Sequence, residues 1–237
     1  MAILAIVAFL VKLRNKDGND HARIENGDRA GEVQQGGDER INQAPVGSRH
    51  HGNSFPEVLP NCDLVENGAN DGDSFRIRHG EKEQMFDLYL ADSPEISLSY
   101  PEQLDLQASY FGGVSRETVV RIGEEARVYA LNLLRSCPFT VFTSWENVPG
   151  TPRHYAFIVV EHAPGRRCFL SELLVLKGFA KPVDRMVTMP AGVSDFTTFR
   201  RTMTTYEQRA RREKTGGWAI IAGRPIVRRA TIVPASG

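Results

Sequence analysis

Residues Asn70 to Glu95 read NDGDSFRIRHGEKEQMFDLYLADSPE, and their pattern decides the fold. Ser74 to Arg78 alternates polar and apolar side chains, His79-Gly80-Glu81-Lys82 is a polar turn carrying a glycine, and Gln84 to Ala91 returns as a mostly apolar run. This is the signature of a β-hairpin. Asp71-Gly72-Asp73 starts the first strand and Asp92-Ser93-Pro94-Glu95 ends the second, so antiparallel pairing carries both acidic clusters to one end. Carboxylates crowded on one rim either repel one another or hold a hard cation such as Ca2+, and a cation beside a free carboxylate suits phosphodiester chemistry. Taken singly, each cluster is also ordinary turn chemistry, because Asp, Gly, Ser and Pro dominate turns.

Around the hairpin, Cys62 to Glu66 predicts a short first strand, and Phe139 to Trp145 and His154 to His162 predict two more, five in all. Ser97 to Val114, with Tyr100-Pro101 and two glycines, reads as a long irregular loop. Ser115 caps a helix whose Ile122, Ala126, Tyr129 and Leu133 stripe faces a core and which stops at Cys137-Pro138. Ser171 caps a short helix that Gly178 ends, and a third helix spans Asp195 to Lys214. In that helix Phe196, Phe199, Met203, Tyr206 and Ala210 form the apolar stripe, and the arginines lying off it read as a solvated face. Trp218 is expected to pack the helix end down.

The flanks differ from this centre. Met1 to Val11 is a solid apolar run followed by Lys12, Arg14 and Lys16. It is shorter than the roughly 20 residues of a spanning helix and lacks the basic start of a secretory signal, so residues 1–14 read as a truncated membrane anchor or a helix lying on the domain. A membrane tether through residues 1–11 would make the protein anchored or exported rather than free in the cytoplasm. Residues 15–55 are rich in Gly, Asn, Asp, Gln, Arg and Glu with no apolar period, the composition of a disordered linker, and His50-His51 reads as part of it. The globular domain is placed at 56–222 and a tail at 223–237. A net charge of zero argues against a protein that holds nucleic acid by bulk electrostatics, while leaving room for a local basic groove. Cys62, Cys137 and Cys168 are too widely spaced for a zinc site or a disulfide framework, and are read as buried thiols.

In this order the DGDS and DSPE motifs resemble the staphylococcal-nuclease family, whose signature is a DGDT-like strand followed by an RLxxxDTPE-like strand. The resemblance continues through IGEEARVYALNLL, FTVFTSW, PRHYAFIVV, LSELLVLKGFAK and EQRARREKTGGWA, and covers roughly residues 60–220. It implies an α+β, mainly β fold: a five-stranded Greek-key barrel of the OB type with about three helices, expected to be a monomer. It also implies a Ca2+ ion held by Asp73, Asp92 and the carbonyl of Ser93, Glu95 as the general base, and Arg153 on the phosphate. The family's first phosphate arginine falls on Asp87, which exchanges a clamp for a like charge. Asp87 then serves as a further metal ligand, or Arg76 or Arg78 on the neighbouring strand reaches the phosphate instead. The family's base-stacking tyrosines fall on Thr151 and the Asp184-Arg185-Met186 stretch. Three functions follow from these residues. They are a Ca2+-dependent phosphodiesterase acting on single-stranded or unpaired DNA or RNA, a non-catalytic module of the same fold binding nucleic acid or protein, and a purely structural membrane-tethered domain.

Overall fold

The hairpin forms where the alternation places it. In a computed structural model, which describes residues 57–163, 165–191, 193 and 195–225, β3 (Ser74–His79) pairs antiparallel with β4 (Lys82–Leu88), with His79 opposite Lys82. The two-residue loop between them has Gly80 at φ +60°, the conformation that tight hairpin turns demand at their first central position. The returning strand is shorter than its apolar run. Leu90 takes φ +66°, which ends β4 and turns the chain into a separate two-residue strand, β5 (Ala91–Asp92).

The remaining strands arrange themselves around this hairpin. β1 (Glu57–Leu59) pairs with β6 (Phe139–Thr143), and β2 (Asp63–Leu64) pairs with β3. β6 pairs antiparallel with β7 (His154–Ala163), which in turn runs parallel to β4. β8 (Arg166–Phe169) folds back on β7, completing a seven-stranded sheet of order β1-β6-β7-β4-β3-β2 with β8 beside β7. A second, two-stranded sheet joins β5 to β9 (Lys181–Pro182). The mixed α and β class is met, but the mainly β balance is not, since the described helices hold more residues than the strands. Five strands become nine because β1 forms upstream of the expected first strand, because Leu90 splits β5 from the run expected to end at Ala91, and because β8 and β9 were not legible as strands. β1 and β2 are not hydrogen-bonded to each other, so the ladder is open and the expected closed barrel is not drawn by backbone pairing.

Helices cover the sheet. Residues 101–110 correct the expected irregular loop: Pro101–Tyr110 form α1, with Pro at the first turn and Leu104, Gln107 and Ala108 turned inward at helical spacing. α2 (Arg116–Ser136) begins at Ser115, whose hydroxyl accepts from Thr118 N–H, and buries Val119, Ile122, Ala126, Ala130 and Leu134. α3 (Leu170–Leu176) is capped by Phe169 rather than Ser171, which is buried inside it. α4 (Phe196–Glu213) starts at Asp195, whose carboxylate accepts from Thr198 N–H at 3.0 Å, and sends Phe199, Met203 and Ala210 into the core. Its arginines pair along the outer face with Glu207 and Glu213, as a solvated face should. Trp218, in α5 (Gly217–Ile221), packs on Tyr110 and Phe111. Residues 1–56 and 226–237, and with them the leader, the linker and most of the tail, lie outside the described residues. Among those described, no helix is long and apolar enough to cross a membrane.

Candidate active site

Both acidic motifs arrive at one end of the hairpin, and each is first a turn. Asp71 accepts the N–H groups of Asp73 and Ser74 at 3.0 and 2.7 Å, the local bonding that sharpens the entry into β3. Asn70, fully buried, anchors the same entry by accepting from Arg76 N–H and donating to Val65 O. A single bond then joins the motifs: Ser93 N–H donates to Asp73 Oδ2 at 2.8 Å. Two close approaches fix that junction. A Cβ on Gly72 would lie 2.6 Å from the Ser93 side chain, and one on Gly123 of α2 would lie 2.4 Å from the carbonyl oxygens of Pro94 and Glu95. Glycine at position 72 lets the Ser93 side chain close against the first motif, and glycine at 123 lets the helix meet the second motif's backbone directly.

Gln107 holds the second motif in place, and it was missed because its segment read as a loop. Its side chain is 4 % exposed. The amide oxygen accepts Glu95 N–H at 2.9 Å, while the amide nitrogen donates to Ser93 O at 3.2 Å and to Asp92 Oδ1 at 3.4 Å. Lys181 is the second residue missed. It is the strand partner of Asp92 across β5 and β9, and its ammonium lies 3.0 Å from Asp92 Oδ2.

The rim is electrostatically frustrated. Burial, and then the charges of Asp71 and Asp92, push the Asp73 carboxyl well above its ordinary value. The same causes in the same order raise Glu95, with Arg153 opposing. Burial raises Asp87 as well, again against Arg153. Carboxylates in this condition favour whatever positive charge comes near, and two basic side chains of the chain itself do so. Lys181 sits on Asp92, and Arg153 donates to Ser74 Oγ at 3.1 Å and to Asp87 Oδ1 at 3.4 Å.

The residues named from sequence therefore divide. Asp73, Asp92, Ser93 and Glu95 are brought together, and Asp87 and Arg153 stand beside them as a pair. Arg76 and Arg78 are not brought to the rim: both pair with Glu83 of β4, at 3.9 and 3.3 Å, and Arg78 stands directly opposite Glu83 near the hairpin turn. Nothing places Asp87 among the donors shared by Asp73 and Asp92. As calcium ligands, Asp73, Asp92 and the Ser93 carbonyl are hard oxygens of a suitable kind and are neighbours, but Lys181 and Gln107 already engage two of them. Among the described residues, no group of three or more His, Cys, Asp or Glu side chains is set to hold a metal ion. The fit is thus a partial donor set rather than a formed cage.

An aromatic stack continues the same face. Tyr155, strand partner of Asp87, stacks on Tyr89 with centroids 5.2 Å apart and carries the Arg185 guanidinium 4.3 Å above its ring. Glu146 ties the stack, accepting from Tyr89 O–H and pairing with Arg185. No protein-family model matches the chain, and no curated protein does.

Proposed function

We propose that residues 57–222 are a staphylococcal-nuclease-like domain whose rim hydrolyses phosphodiesters of DNA or RNA with the help of calcium. The observation that carries this reading is the Ser93 N–H to Asp73 bond, which unites the two motifs so that Asp73, Asp92, the Ser93 carbonyl and Glu95 share one edge. The same proposal takes the sheet as an OB-type barrel. Its two terminal ladder strands, β1 and β2, are halves of one segment bent at Asn61, so covalent chain closes what hydrogen bonds leave open, and the parallel β4–β7 pair bridges the hairpin to the later strands. Calcium would be held by Asp73, Asp92 and the Ser93 carbonyl, and would supply charge neutralisation at a phosphoryl oxygen. Glu95, raised by burial and by the charges of Asp71 and Asp92, is a stronger base for drawing a proton from water than an exposed glutamate. Arg153 faces the phosphate side, but its partner Asp87 competes for it. Releasing that pair and the Lys181–Asp92 pair is the cost of binding substrate and metal, and it sets a low rate.

The second reading, a binding module without catalysis, is favoured by the Asp87–Arg153 pair itself: the remaining clamp is neutralised by the residue that replaced the other one. One experiment separates the two. The full chain is incubated with fluorescently labelled single-stranded DNA and RNA, with Ca2+ or with chelator, beside Glu95→Gln and Asp87→Arg. Chelator-sensitive cleavage, abolished by Glu95→Gln, is the expected outcome. Asp87→Arg restores a guanidinium and frees Arg153, and should raise the rate by about 10³ or more, the scale on which transition-state arginines act. Salt-dependent binding without cleavage in the parent and in both variants would refute the hydrolase and leave the module.

A further inference from the structure

We propose that Cys168, activated by His162, is a reactive thiol that exchanges with low-molecular-weight disulfides, forming a modification site at the end of β7 remote from the acidic rim. Pairing of β7 with β8 sets Cys168 opposite Val160, and Cys168 Sγ lies 3.3 Å from His162 Nε2. Roughly 30 Å of extended strand, at about 3.3 Å per residue, separates this pair from Arg153. The site is therefore independent of the hydrolase reading.

The pair has the chemistry of an activated nucleophile. Burial, and then the charge of Arg166, push His162 below its ordinary value, so the imidazole is neutral near pH 7. In its Nδ1–H form it presents Nε2 as an acceptor for the thiol proton. From α2, Tyr129 faces Cys168 and is held in its neutral form by burial. Glu161, the remaining acid of the hairpin, is bound by Arg167 at 2.9 Å.

The other two cysteines lack these conditions. Cys62 is 7 % exposed, donates its S–H to Leu59 O at 3.2 Å, and is pushed up to about 11 by burial. Cys137 is 6 % exposed and is likewise raised. Cys168 is half-buried, which corrects the expectation of three buried thiols. In the exchange, Cys168 S–H passes its proton to His162 Nε2 and the sulfur attacks one sulfur of the disulfide. The S–S bond breaks as the new one forms, and the departing thiolate takes the proton from the imidazolium. Cys168 ends as a mixed disulfide and one half of the reagent leaves as a thiol.

The test is per-cysteine peptide mass spectrometry of the reduced full chain during exposure to glutathione disulfide at pH 7. Cys168 should gain the glutathionyl group first, with Cys62 and Cys137 protected until urea unfolds the chain. His162→Gln should slow Cys168 by about threefold or more, because the thiol loses the acceptor for its proton, with no change at the other two cysteines. Equal rates at all three in the parent protein, a comparison that needs no variant, would overturn the proposal. So would an unchanged Cys168 rate in a folded His162→Gln.

Discussion

At the scale of single residues, the rim is defined by charges that lack enough opposite charge. Asp73 shows this most directly. Its carboxyl is raised in the folded protein, so the native state binds its proton more tightly than the unfolded chain does. Stability from this group is present below the ordinary carboxylate value of about 4 and is lost as pH rises through the folded value. Asp73→Asn removes that loss while keeping an oxygen to accept Ser93 N–H. Without calcium, thermal melts should therefore show the variant more stable than the parent at pH 7, with the gap closing near pH 4. Excess calcium should reverse the order at pH 7 if Asp73 is a ligand. A variant less stable at both pH values would show that the carboxylate is held by its hydrogen bonds rather than strained by its neighbours. Asp87 belongs to the same scale. Its identity was readable, but its partner was not, because Arg153 stands in the loop just before β7 and meets it only through the parallel β4–β7 pairing.

At the scale of elements, the site depends on a helix touching a loop. α2 runs past Pro94 and Glu95 with no side chain at position 123 between them. Gly123→Ala gains about 1 kcal/mol of intrinsic helix propensity, but its methyl must displace two backbone carbonyls. Because neither carbonyl is the end of a flexible side chain, the net effect should be destabilising by about 1–3 kcal/mol, the range of overpacked cores. Urea unfolding measures that loss, and a stabilised variant would mean the loop yields freely. The helix itself was legible from its cap and its 3.6-residue stripe. α1 was not, since Tyr100-Pro101 and Gly112-Gly113 at its ends drew attention as breakers, while Leu104, Gln107, Ala108 and Phe111 already carried its period. Gln107 could have been found from that spacing as a polar residue on an inward face.

At the scale of the whole molecule, the bend at Asn61 is the covalent link between β1 and β2, the two ends of the ladder, which do not pair with each other. Its positive φ is one that Asn and Gly tolerate and β-branched residues do not. Asn61→Gly should melt close to the parent, whereas Asn61→Val should cost about 1–2 kcal/mol and, if the bent segment closes a barrel, lower a single cooperative transition. Two separate transitions in Asn61→Val would instead show that the β1–β6 and β2–β3 pairings are independent. The sequence alone determined what local rules can carry. These are the hairpin, its acidic ends, the capped helix at Ser115, the arginine-faced helix after Asp195, and the DGDS and DSPE motifs whose order suggested a family. Their information is short in range: alternation, capping and turn chemistry act within a few residues. The tertiary structure decided everything that depends on which distant charges become neighbours. Lys181 on Asp92, Arg153 on Asp87, Gln107 under Glu95 and His162 beside Cys168 are set by strand register, helix approach and burial. A one-dimensional pattern does not encode these, because a change of register by one residue would leave every local signal intact and exchange every partner.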